Sequence, residues 1–116
     1  MDDNNKQELQ DDGTLAFLNI PPNKEGKRFN CDEITQQKLI NKSFYIIDYI
    51  EDVKTKYGEG RYLVKIKYSL SDNEESTRKF FTNSPEIKHT LRAIRERDAF
   101  PRLVTMKASG TMYYLI

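Results

Sequence analysis

Between Arg61 and Tyr68 the chain alternates without a break, and this limits its fold more than any other feature. Tyr62, Val64, Ile66 and Tyr68 fall on one side; Arg61, Leu63, Lys65 and Lys67 fall on the other. A period of two belongs to a strand with one buried face, and a slip of one residue would expose the whole apolar set. The strand is expected over 61–69, with Lys65 and Lys67 facing solvent. Upstream, 44–53 is rich in β-branched and aromatic residues and apolar on both faces. That composition predicts a long strand shared between two parts of a sheet. Tyr57-Gly58-Glu59-Gly60 reads as the turn between the two, with Gly supplying positive φ.

A polar loop over 71–76 leads to a third strand, 77–83, around Phe80 and Phe81. Ser84-Pro85-Glu86 then opens a helix. Ser84 caps free N–H groups, Pro85 suits the first turn and Glu86 meets the positive end of the dipole. Ile87, Leu91 and Ile94 make one apolar stripe. Pro101 ends the segment. A strand over 102–107, a Ser109-Gly110 turn and a last strand over 111–116 complete the chain. Three strands, a helix and two strands match a mainly β, five-stranded OB-fold barrel with one helix between strands 3 and 4. That domain is expected over 43–116.

The N-terminal part reads differently. Residues 1–14 carry Asp2, Asp3, Glu8, Asp11 and Asp12 against Lys6, a charge of −4, and their only large apolar residues are Met1 and Leu9. Such a segment cannot bury enough surface to offset its ordering entropy, so it is expected to be a disordered acidic tail. This accounts for the low hydrophobic content, 37%. The rest of the chain, 15–116, has a charge of +5, which favours anionic partners. Residues 15–42 form an N-terminal extension. Leu15 to Ile20 is its apolar stretch, and an Asn30/Glu33 capping box predicts a short helix over about 32–41.

Several chemistries are disfavoured. A single cysteine, Cys31, excludes an internal disulfide and suits the cytoplasm. A single histidine, His89, leaves no common zinc site and little room for a triad. No P-loop, GxGxxG or GxSxG motif is present. Asp48, Glu51 and Asp52 read as charge balance for Lys54 and Lys56, not as a metal site or an acid/base pair. No apolar run approaches the roughly 20 residues of a membrane span, and the N-terminus does not read as a secretory signal. The expectation is a protein that is not an enzyme and needs no cofactor.

The run Leu39-Ile40-Asn41-Lys42-Ser43-Phe44-Tyr45-Ile46-Ile47-Asp48-Tyr49, the turn at Gly58 and Tyr62-Leu63-Val64-Lys65-Ile66 carry a resemblance. So do Phe81-Thr82-Asn83-Ser84, Phe100-Pro101 and Gly110-Thr111-Met112-Tyr113-Tyr114. Over 39–116 the chain resembles small OB-fold, single-stranded DNA-binding-like proteins of phages, plasmids and integrative mobile elements. The resemblance implies an accessory role in replication, recombination or transfer. It carries over no catalytic residue.

The residues themselves point to a basic set interleaved with rings: Lys54, Lys56, Tyr57, Arg61, Lys65, Lys67, Arg78, Lys79 and Phe81. A single strand needs cations along its phosphates and flat rings for its bases, and the outer face of strands two and three is where an OB barrel provides them. The plain reading of the same lysines is a solvated exterior that discourages edge pairing. Phe80 and Phe81 point to opposite sides of their strand, so one is core and the other is either a stacking platform or covered by the loops or the N-terminal segment. Tyr113 and Tyr114 read as structural packing. The expected function is sequence-tolerant single-stranded DNA binding. Expected partners are the strand, a replication or recombination protein and a second copy of the chain, without a membrane. The alternative is an OB-fold protein-interaction module that does not touch nucleic acid.

Overall fold

The computed structural model describes residues 29–56 and 58–116. The acidic tail over 1–14, the Leu15 to Ile20 stretch and Tyr57 lie outside the described residues. Strands β1 (Asp32–Glu33), β2 (Ser43–Thr55), β3 (Gly58–Lys67) and β4 (Arg78–Thr82) precede helix α1 (Pro85–Glu96), which is followed by β5 (Arg102–Ser109) and β6 (Met112–Leu115). They make one six-stranded sheet in the order β1-β4-β3-β2-β5-β6. β1 runs parallel to β4 and the other pairs are antiparallel, so the sheet is mixed.

This corrects the expected five-stranded OB-fold barrel. A sixth strand, β1, takes the edge beside β4, so the helix follows the fourth strand of six. The sheet also stays open, because among the described residues β6 pairs only with β5. Closure would require a ladder between β6 and β4. The Ser84 hydroxyl instead donates to the Tyr113 carbonyl at 2.6 Å, at the start of α1. Part of the β4 edge is already occupied, since Asp32 and Glu33 pair with Arg78 and Lys79.

The alternation in β3 is realised. Tyr62, Val64 and Ile66 join Phe44, Ile46, Tyr49, Phe80, Val104 and Met106 in one buried cluster, which α1 completes with Ile87 and Leu91. Ile46 and Tyr49 both reach this core although three residues apart. The register shifts between them, a bulge that changes which side chains face inward and adds twist. Asp52, at φ 56, lies within a second irregularity. The Ser84 cap forms as read: its oxygen accepts from the Ile87 N–H at 3.2 Å.

Five local expectations change. The turn expected over 57–60 is tighter, because β3 already begins at Gly58, which pairs with Thr55. β3 ends at Lys67, and Tyr68 is 42% exposed instead of core. Leu63 lies on the outer face as its parity requires, yet it is fully buried, paired with Ile50 on one side and Phe81 on the other. The last turn is Gly110-Thr111 inside the Ser109–Met112 pair, and Gly110 adopts φ 61. The helix expected over 32–41 is replaced by β1 and a short 3-10 turn, Gln36–Leu39. Its backbone has better partners elsewhere: the Ile34 N–H reaches the Lys79 carbonyl at 2.8 Å, and the Asn41 N–H reaches the Met106 carbonyl at 2.7 Å. Stretched between those anchors, the segment runs from the β4 edge to β5 and delivers Leu39 to the core.

Candidate functional site

The structure divides the basic set into two groups. On the outer face of β3 and β4, Lys65 and Lys67 both reach the Glu74 carboxylate, at 3.4 and 3.3 Å. Lys67 also donates to the Asp72 carbonyl at 3.3 Å. Lys79 donates to the Phe29 carbonyl at 2.8 Å, and the Phe29 ring lies 5.7 Å from the Lys65 ammonium. Arg78 caps the Glu75 and Thr77 carbonyls. Lys65 and Lys67 are therefore only 23% and 17% exposed, half-buried and engaged, not free in solvent as expected. The two lysines hold the Glu74 carboxyl below its ordinary value, mainly through the Lys67 hydrogen bond.

The second group converges elsewhere. Lys56, Arg61 and Phe81 line a groove of about 700 Å³ together with Gln36 and Tyr113. Lys54 is exposed near the end of β2, outside this lining. The groove lies where the sheet fails to close, between Phe81 of β4 and Tyr113 of β6. A smaller depression of about 270 Å³ shares Gln36, Arg61 and Tyr113 and extends it to Asn83, Ser84 and Pro85.

Each wall has a local cause. Arg61 occupies the outward parity of β3, opposite its buried neighbour Tyr62. Phe81 follows core residue Phe80 and so faces away from the core, leaving a half-buried ring. Tyr113 precedes Tyr114 on an edge strand and is also half-buried. Gln36 enters with the 3-10 turn, and its Oε1 is buried without a hydrogen-bond partner. Among the described residues the half-buried Arg61 side chain makes no hydrogen bond or ion pair. A half-buried guanidinium carries five N–H donors that then remain for water or a ligand. The groove thus combines two rings, the cations of Lys56 and Arg61, the Glu33 carboxylate and an unsatisfied amide acceptor.

A further basic feature lies on α1. Lys88 and Arg92 approach the Tyr62 ring, at 5.1 and 5.9 Å from its centroid, and Arg95 covers Tyr49 at 3.7 Å. The two tyrosines stack on each other, with centroids 5.5 Å apart and planes 15° apart. Arg92 Nη1 donates to the Tyr62 hydroxyl at 2.8 Å. Arg95 pairs with Asp48 at 2.7 Å, and Glu51 accepts from the Tyr49 hydroxyl at 2.9 Å. Asp48 and Glu51 thus also serve Arg95 and Tyr49. Burial, with the Glu51 hydrogen bond second, pushes the Tyr49 phenol up to about 12. Burial likewise raises the Cys31 thiol above its ordinary value, against the pull of Lys79, Lys65 and Arg78.

Sequence reasoning found Lys56, Arg61 and Phe81 and missed Gln36 as a groove residue. Tyr113 was legible only as a packing residue, because its place beside β4 depends on long-range topology. The α1 cations did carry a signal: Lys88, Arg92 and Arg95 stand at i, i+4 and i+7, one position along from the Ile87/Leu91/Ile94 stripe.

Fold and groove together define a small, mainly β domain with an open mixed sheet and a cation-and-ring-lined groove at its unclosed seam. The chain belongs to the family described as a domain of unknown function, DUF8468, whose model matches residues 30–116. No curated protein and no solved structure matches it. Among the described residues no helix is long and apolar enough to cross a membrane.

Proposed function

We propose that this domain binds single-stranded DNA without marked sequence preference, in the groove at the open seam of the sheet, as a non-enzymatic accessory protein of replication, recombination or mobile-element transfer. The observation that carries the reading is the half-buried Arg61, without a partner among the described residues, flanked by Phe81 and Tyr113 in one groove. A phosphate meets the guanidinium, which suits such groups in charge and donor geometry. Bases lie against the rings, each stacked base contributing about 1–3 kcal/mol whatever its identity. A base N–H reaches Gln36 Oε1 once that side chain turns out of its buried position into the groove. The reading includes a cytoplasmic location, where a lone thiol stays reduced.

The rival is a protein-interaction module. Its supporting observation is the β6 edge, where Met112 and the following Ile116 are 49% and 68% exposed. An extended peptide could add to such an edge. Fluorescence anisotropy of a labelled oligonucleotide at low and moderate salt separates the two readings. Nucleic-acid binding predicts saturable affinity that weakens steeply with salt. No binding at low salt leaves the interaction module.

A further inference from the structure

The geometry points to a second, phosphate-tracking segment of the same site: a strand leaving the groove continues along α1, with Lys88 and Arg92 contacting its backbone. This rests on the groove reading and extends it to residues on another element.

Continuity comes first. The groove's extension is lined by Asn83, whose Oδ1 accepts from Lys88 Nζ at 2.8 Å. Lys88 is therefore the next cation beyond Arg61 on that path. From Lys88 the helix rises about 6 Å to Arg92 and about 10 Å to Arg95, at roughly 1.5 Å per residue. The three cations form a row along one side of the helix.

Charge comes second. Among the described residues neither Lys88 nor Arg92 forms an ion pair, whereas Arg95 is neutralised by Asp48. The row thus has two members without an ion pair next to the groove and a paired one at its far end. Arg95 acts as a strut that holds Tyr49 and β2, not as a phosphate contact.

Pre-organisation comes third. Long cationic side chains ordinarily lose rotamer freedom on binding. Here the Tyr62 ring and hydroxyl already hold Arg92, and the same ring with Asn83 holds Lys88. A polyanion meeting them recovers more of its electrostatic attraction than it would from free surface lysines.

The test compares a short labelled oligothymidylate of about 4 nucleotides, which fills the groove alone, with one of about 12. The variants are the Lys88→Gln, Arg92→Gln double substitution and Arg61→Gln, each checked for an unchanged melting temperature. The α1 double variant is expected to bind the short oligonucleotide like the parent. It should bind the long one about tenfold more weakly at low salt. Its salt slope should be shallower by about 1.4, or about 0.7 for each of the two phosphates that the variant no longer neutralises. Arg61→Gln should weaken both lengths. If Arg61→Gln weakens binding while the α1 variant matches the parent on the long oligonucleotide, the track is wrong and the groove stands. If the parent binds neither length, the groove reading falls and the track falls with it.

Discussion

Lys65 and Lys79 stand directly opposite each other on the outer face of β3 and β4, two like charges in one cross-strand pair. Such a pair is unfavourable by itself. It is tolerated because Glu74 draws off Lys65 and the Phe29 carbonyl takes Lys79. The most obvious basic surface of the chain is therefore used in holding the 70s loop and the start of the domain. A Lys65→Gln, Lys67→Gln variant should keep its affinity for single-stranded DNA within about twofold, as expected for charges already screened by a partner. Arg61→Gln should lose about tenfold, the cost of one charged hydrogen-bonding contact. A larger loss in the lysine variant than in Arg61→Gln would move the contact surface along the outer face to Lys65, Lys67 and the 70s loop.

Tyr49 gives a pH dependence. Its phenol is pushed from 10.0 up to about 12, chiefly by burial. Below pH 10 both folded and unfolded chains hold the proton, and the contribution to stability is fully present. Above pH 10 the unfolded chain releases it first, so stability falls as pH rises toward 12. Tyrosinate absorbance should include a late phase from Tyr49, centred near pH 12. Tyr49→Phe should abolish that late phase and flatten the alkaline loss of stability. At neutral pH it should cost about 1 kcal/mol through removal of the hydrogen bond to Glu51. An unchanged titration in Tyr49→Phe would mean that the late ring lies elsewhere.

Leu63 tests the second buried layer. It faces away from the main core yet is fully buried. Leu63→Ala should cost about 3 kcal/mol in urea unfolding, as for a core leucine. Leu103→Ala, at a side 54% exposed, should cost little. Equal, small losses would show that the outer face of β3 carries no packing.

Gln36 sets stability against binding. Its Oε1 is buried and unsatisfied, and such a group costs about 1–3 kcal/mol. Gln36→Leu should leave the melting temperature unchanged or higher while weakening oligonucleotide binding. A lower melting temperature with unaltered binding would make Gln36 a structural residue.

The parts of the fold legible in the sequence were those set by local rules. The Arg61–Lys67 alternation reports a buried face because the pleat has period two. Ser84-Pro85-Glu86 marks the start of α1 because capping is a matter of neighbouring residues. What pairs with what across the sheet was not legible. Asp32 and Glu33 look like the first turn of a helix, and only the open edge at Arg78 and Lys79 draws them into a strand. The same long-range step leaves the sheet unclosed at Ser84 and Tyr113. The candidate site follows this division. Arg61 and Phe81 were identifiable by parity, whereas Gln36 and Tyr113 join them only once the seam exists. The lysine at 79 looked available because Phe29 is distant in sequence, and those at 65 and 67 because the fold of the 70s loop, not the spacing, brings Glu74 back onto them.

The central claim is that a single strand occupies the groove at the open seam, with bases on Phe81. The most direct measurement is the anisotropy of a labelled 12-nucleotide oligothymidylate, a length of about the order such sites cover, titrated at low salt with the parent and with Phe81→Leu. Leucine keeps an apolar side chain beside Leu63 and removes the ring. The account predicts an unchanged salt slope, with affinity about tenfold weaker because one base no longer stacks. Parent and variant curves that superimpose would contradict it.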